Sequence, residues 1–397
     1  MLDLLLPPPV DPLWDLTEAY GADPRPERLD LVVGVYRDHT GATPVMSAVR
    51  QAEIRLAERS LSKEYRGLSG NTAFNRAMLA MVLGESGPAG RAVAVQTVAG
   101  SGALRLLADL ICRTRPGTTV WISDPAYVNH RPIMEAAGLA VRTYRWQDAE
   151  GRFDSAGMLA DLAGAGRDDV VLLQGCCHNP TGVDPAPRDW GAVAELAVRR
   201  GWVPFVDLAY HGLGDGLDAD LAPTRLLADR VPEMLVAVSC SKNFGLYSDR
   251  TGCAMVLGTS AQALRHAETA LQNAARTLYS MPPEHGAAVV TTVLEDAGLR
   301  AEWRAELDAM RGRIAANRTA LAARLTELGR PVEAEVLAQQ KGMFSMLPLT
   351  PGHMQELRAR FAIYGTVAGR INIAGLPADR VSCLARGIAG VLDGAAG

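Results

Sequence analysis

No stretch of this 397-residue chain stays apolar for the roughly 18–20 residues that a membrane-spanning helix needs. Its opening, MLDLLLPPPV, lacks a basic flank and is broken by prolines, so it does not read as a signal peptide. Cysteine is sparse. Six residues (112, 176, 177, 240, 253 and 383) show neither CxxC nor zinc spacing, and 176 and 177 are vicinal. In a chain this long that pattern points to reduced thiols in a core, not to a disulfide framework. A charge excess of one sign is missing too. Forty Lys and Arg stand against 44 Asp and Glu, so the formal charge is −4. That balance gives no electrostatic reason to expect nucleic acid or an anionic membrane as a partner. His211, His266 and His353 form no ligand spacing with Asp or Glu, so no metal is expected. Repeats and low-complexity segments are absent. What remains is 48% hydrophobic and 21% charged, with mean hydropathy +0.04. Such a composition excludes disordered, collagen-like and coiled-coil classes. The expectation is a cytoplasmic α/β protein long enough for two domains.

Before about residue 43 the chain is rich in proline (7, 8, 9, 12, 24 and 26), which predicts an extended arm, not a core helix. From about residue 90 to 260, short apolar runs recur at 93–95, 119–122, 170–173, 203–206, 235–238 and 254–256. Helical patterns lie between several of them, as at 103–112 and 190–200. Continuous apolar strands alternating with helices predict a largely parallel sheet covered on both faces. Trp303, Leu307, Met310, Ile314, Leu321, Leu325 and Leu328 fall at helical spacing. A helix over 300–328 would be roughly 43 Å long, ended by Gly329-Arg330-Pro331, and could link two domains. The remainder reads as a smaller α+β domain.

Ligands of such sheets bind beyond the carboxyl ends of the strands. After the first run comes Ala99-Gly100-Ser101-Gly102, glycines followed at once by a helical pattern. Backbone N–H groups at that turn could hold a lone phosphate. The same residues suit a plain strand-to-helix turn with Ser101 as N-cap. The run at 203–206 is followed by Asp207, with Tyr210 three residues on. A carboxylate there must be paired, either as a structural cap or in a site. The run at 235–238 leads into Ser239-Cys240-Ser241-Lys242-Asn243-Phe244, with Arg250 eight residues after the lysine. A lysine at the mouth of a parallel sheet among small residues is a candidate Schiff-base nucleophile, though most lysines are surface residues. His178-Asn179-Pro180-Thr181-Gly182 is strong turn chemistry.

Taken in order, five segments resemble the aspartate and aromatic aminotransferase family of fold-type-I pyridoxal-phosphate enzymes. They are Ala99 to Arg105, Cys176 to Gly182, Asp207-x-Ala209-Tyr210, Ser241-Lys242-Asn243-Phe244-Gly245-Leu246-Tyr247 and Gly369-Arg370-Ile371-Asn372. The likeness runs from about Asp11 to Leu392. It implies an α/β fold: a large domain with a mostly parallel seven-stranded sheet between helices, and a smaller α+β domain. We expect residues 1–42 to form an arm and the start of the small domain, 43–309 the large cofactor domain, and 310–397 the small C-terminal domain.

The resemblance also implies roles. Lys242 would carry pyridoxal 5′-phosphate and move the substrate proton. Asp207 would pair with the ring nitrogen, supported by His130, and Tyr210 and Asn179 would bond the ring oxygen. Gly100, Ser101, Ser239, Ser241 and Arg250 would bind the phosphate, joined by Tyr65 from a neighbouring subunit. The site would thus be shared within a homodimer that the arm could embrace. Arg370 would clamp the α-carboxylate, and Arg276, from the partner, a side-chain carboxylate. Gly34 would line the way in for substrate. The expected substrates are small amino and 2-oxo acids: glutamate and 2-oxoglutarate as one pair, aspartate or an aromatic amino acid in the other.

The chain departs from the family at three positions. Tyr127, in Asp124-Pro125-Ala126-Tyr127, stands where the family usually has tryptophan. Met281 replaces a small or amide residue, and Gln174 replaces a histidine. The first two motivate an alternative, a pathway-specific aminotransferase for an unusual amino acid in secondary metabolism. An effector-sensing module on the same fold is a further alternative, which the retained Lys242 argues against.

Overall fold

A strand that is apolar on both faces needs helices on each side, and the larger part of the chain is built that way. The computed structural model describes Leu2 and residues 12–59, 62–84 and 90–394. The chain clusters into two units, Thr43–Arg313 and Met1–Ala42 with Ile314–Gly397. In the first, seven strands form one sheet: β1 Ala92–Val98, β2 Thr119–Asp124, β3 Ala140–Arg145, β4 Val170–Gln174, β5 Val203–Leu208, β6 Met234–Ser239 and β7 Thr251–Leu257. Their order is β1-β7-β6-β5-β4-β2-β3. β7 runs antiparallel to β1 and β6, and the other pairings are parallel.

Leu172, Phe205, Leu235 and Ala237 join one buried cluster with Leu104 and Leu107 of helix Ala99–Thr114 and with Leu264 and Leu271 of helix Ala261–Leu278. The residues that alternate with them, Val171, Leu173, Val206 and Val236, are equally buried. Both faces are therefore covered, which is why these strands read as unbroken apolar runs. β3 escapes such a reading. It is an edge strand in which Ala140, Arg142, Thr143 and Arg145 are exposed and Tyr144 alone is fully buried. A charged edge of this kind also resists pairing with another chain.

The long helix is Ala297–Glu327, about 46 Å at 1.5 Å per residue. Trp303, Leu307, Met310, Ile314, Leu321 and Leu325 are buried along it, while Leu328 lies past its end, 37% exposed. Gly329 takes φ +76°, and Arg330 N–H donates back to the Leu325 carbonyl at 2.9 Å, closing the helix.

In the smaller unit, Leu29–Asp30 pairs parallel with Ile363–Tyr364, and Phe344–Met346 antiparallel with Arg370–Asn372. Helices Pro351–Phe361 and Val381–Asp393 complete an α+β arrangement. The proline-rich start is a correction. Residues 3–11 lie outside the described residues, but Pro12–Ala22 is a helix, not an extended arm. Proline at the first helical position loses no hydrogen bond, and Leu16 is buried against Val32 and Tyr364. Among the described residues no helix is long and apolar enough to cross a membrane.

Candidate active site

β1, β2, β4, β5 and β6 end on one side of the sheet, and the loops leaving them carry most of the candidate side chains. Asp207 is the penultimate residue of β5 and is buried. Its Oδ2 accepts a hydrogen bond from His130 Nε2 at 2.9 Å. His130 opens helix His130–Ala136, is fully buried, and its Nδ1 has no hydrogen-bond partner among the described residues. Tyr127 packs edge-on against it, with ring centroids 5.3 Å apart.

Beside this pair, Asn179 Nδ2 donates to the Tyr210 hydroxyl at 3.1 Å. Lys242 Nζ lies 5.5 Å from the centre of the Tyr210 ring. The turn that carries Lys242 is anchored from behind. Trp303 Nε1 donates to the Asn243 carbonyl at 2.8 Å, and the Trp303 ring stacks on Phe244 at 4.4 Å. Asn243 Nδ2 also donates to His211 Nε2 at 2.8 Å, tying the Tyr210 loop to the Lys242 loop.

That tie has a pH signature. Burial pushes the His211 imidazole down from 6.5 to about 4, against a weaker upward pull from Asp207. Between those values the unfolded chain takes up a proton that the folded chain refuses. The stability contributed by neutral His211 is complete above pH 6.5 and is lost as the pH falls towards 4. His211→Gln keeps an acceptor for Asn243 but cannot titrate. The variant is expected to lose about 2 kcal/mol less than the wild type between pH 7 and pH 5. Urea unfolding at the two pH values checks this, and equal losses would refute it.

The third group gathers hydroxyls and a guanidinium at the end of β6. Ser239 Oγ donates to Ser241 Oγ at 3.1 Å, and Arg250 Nη1 lies 3.5 Å from Ser241 Oγ. Gly100 and Ser101 occupy the first turn of helix Ala99–Thr114, whose leading N–H groups have no partner within the helix. Ser101 is not an N-cap: the helix starts at Ala99, and the cap position is Val98. A Cβ on Gly100 would come within 3.0 Å of Ser239 Cβ, and one on Gly252 within 2.4 Å of the Ala99 carbonyl carbon. Glycine at both positions lets the start of the helix approach the ends of β6 and β7 this closely. Hydroxyls, a guanidinium and a helix N-terminus for a phosphate, a paired carboxylate for a ring nitrogen and a lysine for a carbonyl carbon together fit pyridoxal phosphate.

Tyr65 is 92% exposed, and Arg276 is exposed near the end of helix Ala261–Leu278. Gly34 and Arg370 belong to the smaller unit, where they are neighbours of one ring. Arg370 lies 4.3 Å from the centre of the Phe344 ring and donates from Nη2 to the Val32 carbonyl at 2.8 Å. A Cβ on Gly34 would meet Phe344 Cζ at 2.7 Å, so the glycine makes room for the ring.

Several buried polar residues went without a role in the sequence. Asp184 accepts the backbone N–H groups of Cys177 and His178 at 2.7 and 2.9 Å, holding Cys177 at φ +52°. His178 stacks on Trp146 at 4.1 Å and bonds Ser123 and Thr181 through its two nitrogens. Burial holds its imidazole well below the usual range. Cys176, Cys177 and Asp220 converge closely, yet the Asp220 carboxylate already accepts N–H bonds from Gly212, Gly214 and Asp215. The bond to Cys177 and burial push the Cys176 thiol up. Gln174 proved to be bound at both ends of its amide to Asn179. Gln174, Cys176, Cys177 and His178 stand at or just past the end of β4, whereas nothing local announced Asp184 or Asp220.

Residues 26–388 match the family described as aminotransferase class I and II. The chain is 45% identical over 389 residues to the aromatic-amino-acid aminotransferase of Paracoccus denitrificans, covering 98% of this chain and 99% of that protein. It is 42% identical to the aspartate aminotransferase of Haemophilus influenzae, covering 97% and 98%. It is also similar to the solved aromatic-amino-acid aminotransferase of Burkholderia pseudomallei, covalently bound to pyridoxal phosphate, with TM-score 0.96, 38% identity and 99% of each chain covered.

Proposed function

The chain belongs to the class I and II aminotransferases and is a pyridoxal-phosphate-dependent aminotransferase of the aspartate/aromatic type; we propose that glutamate and 2-oxoglutarate form one of its substrate pairs and that aspartate or an aromatic amino acid belongs to the other. One observation carries the cofactor chemistry behind this reading. A buried carboxylate bonded to a histidine, a lysine beside a tyrosine ring, and a serine–arginine cup meet at the ends of adjacent strands β5 and β6.

Pyridoxal phosphate, when bound, supplies a carbonyl that exchanges the amino group and a protonated ring that draws electrons from the substrate Cα. Asp207, oriented by His130, holds the proton on the ring nitrogen. Lys242 takes the proton from Cα and returns it on the other side of the transfer. Tyr210 and Asn179 hold the ring oxygen, and Gly100, Ser101, Ser239, Ser241 and Arg250 hold the phosphate. Tyr127, packed against His130, would flank the ring. In this reading residues 43–309 are the cofactor domain, and 1–42 with 310–397 the smaller one.

Substrate selection rests on the family likeness. Arg370 grips the α-carboxylate as a two-pronged donor, near Gly34. Arg276 grips a side-chain carboxylate, and Tyr65 a phosphate oxygen, each from the partner of a homodimer. Their exposure on the isolated chain, with Ile54 and Leu278 also standing exposed, supports that assignment. The enzyme would work in the cytoplasm, in keeping with six cysteines that form no disulfide. The likenesses offer no support for a substrate of secondary metabolism.

The test is a donor panel. Glutamate, aspartate and phenylalanine, mixed singly with the cofactor-loaded enzyme in a stopped-flow spectrometer, should each discharge the visible band. A 2-oxo acid should restore it. Discharge by aspartate and glutamate but not by phenylalanine would remove the aromatic half of the proposal.

A further inference from the structure

Gln174 closes β4 and sits in register beside Asp207 of β5. It is 4% exposed. Its side-chain amide is committed at both ends to one residue five positions on. Nε2 donates to the Asn179 carbonyl at 2.8 Å, and Oε1 accepts from the Asn179 N–H at 2.8 Å. The loop between them is pinned elsewhere as well. Gly175 N–H donates to the Asp207 carbonyl at 3.0 Å, and Asp184 takes the N–H groups of Cys177 and His178. Asn179 is therefore held by its backbone, and its side chain is left to reach the Tyr210 hydroxyl.

We propose that Gln174 is a positioning residue, clamping the Asn179 backbone so that the Asn179 and Tyr210 side chains keep a fixed grip on the cofactor's ring oxygen. The inference rests on the reading given under Proposed function. A glutamine suits this place for a chemical reason. It supplies one donor and one acceptor, which is what a backbone N–H and C=O require. It also carries no charge at any pH. A carboxylate at the same place would offer acceptors only and would set a like charge beside Asp207; an imidazole would titrate. Hydrogen bonds to an ionised ring oxygen favour the form that has lost its proton. Loosening Asn179 should therefore raise the proton affinity of the bound cofactor, and the pH midpoint of its visible band reports that affinity directly.

The experiment is a pH titration of that band in the holoenzyme, in wild type, Gln174→Met, Gln174→Glu, Asn179→Ala and the Gln174→Met/Asn179→Ala pair, with thermal unfolding measured alongside. Gln174→Met should raise the midpoint by about one pH unit, a tenfold change in proton affinity. Gln174→Glu should raise it further. Asn179→Ala should raise it too, and adding Gln174→Met to Asn179→Ala should shift it little more, because Gln174 acts through Asn179. If Gln174→Met does not accumulate as folded protein, Gln174→Asn takes its place, since it stays uncharged and its amide, one methylene shorter, cannot bond both ends of Asn179. An unchanged midpoint with lowered thermal stability would reduce Gln174 to a structural brace and overturn the proposal. A full further shift in the Asn179→Ala background would overturn it as well. Absence of a titrating band in the wild type would count against the aminotransferase reading itself, a separate failure.

Discussion

Replacement of Lys242 by alanine is expected to abolish transamination, lowering the single-turnover rate by at least about 10⁴-fold, while the protein still folds and binds its phosphate group. Lys242 lies in the turn after β6, and its neighbours anchor that turn. Asn243 is bonded by Trp303 and His211, and Phe244 is stacked on Trp303. Removing the Lys242 side chain leaves all of them in place. The sequence offers a clean check. It contains three lysines, at 63, 242 and 341. Borohydride reduction of the loaded wild type followed by peptide mapping should fix the cofactor at 242 and at neither of the others. The alanine variant should lose both the fixation and the visible band of the loaded enzyme. Wild-type-like turnover by Lys242→Ala, or fixation at 63 or 341, would remove Lys242 from the chemistry.

The second large effect is expected at Arg276. A guanidinium gripping a carboxylate through paired charge-assisted bonds contributes about 1.5–3 kcal/mol, so Arg276→Ala should raise the KM for glutamate by about 100-fold. The half-reaction with phenylalanine, which has no second carboxylate, should change by less than about threefold. Tyr127 and Met281 give this split its chain-specific motive. A phenol in place of an indole leaves more room and adds a hydroxyl, and methionine offers an adaptable apolar wall. Equal losses for both substrates would sink the dual-substrate reading. The same variant tests the shared site. Mixed with Lys242→Ala, it can form heterodimers in which one of two sites is intact, so activity at low glutamate should recover to about a quarter of wild type after random exchange. No recovery, with exchange shown independently, would place both residues in the site of one subunit.

How much of this was legible beforehand follows from what each residue depends on. Lys242, Asp207 and Tyr210 could be picked out because a buried parallel strand is an unbroken apolar run, and its carboxyl end is marked where polar residues resume. The glycines at 100 and 102 suited an anion or a plain strand-to-helix turn equally, and Ser239, Ser241 and Arg250 were tied to a phosphate only by the family resemblance. The long helix was equally plain, since a stripe from Trp303 to Leu325 repeats at the helical period. β3 was not, because an edge strand with exposed Arg142 and Arg145 has no need of the apolar pattern that announces a strand. Nor was helix Pro12–Ala22, where proline suggested extension but Leu16 found a buried place against Val32 and Tyr364. The remaining decisions were made by contacts between segments far apart in the chain. His130 meets Asp207 across 77 positions, Trp303 meets Asn243 across 60, and Gly34 is required by the ring of Phe344. Strand, helix and turn chemistry are set within a few residues by sterics and periodicity, and so can be read in order. Which side chain a buried amide or imidazole bonds is set only when the fold has removed water from around it and left one partner in reach.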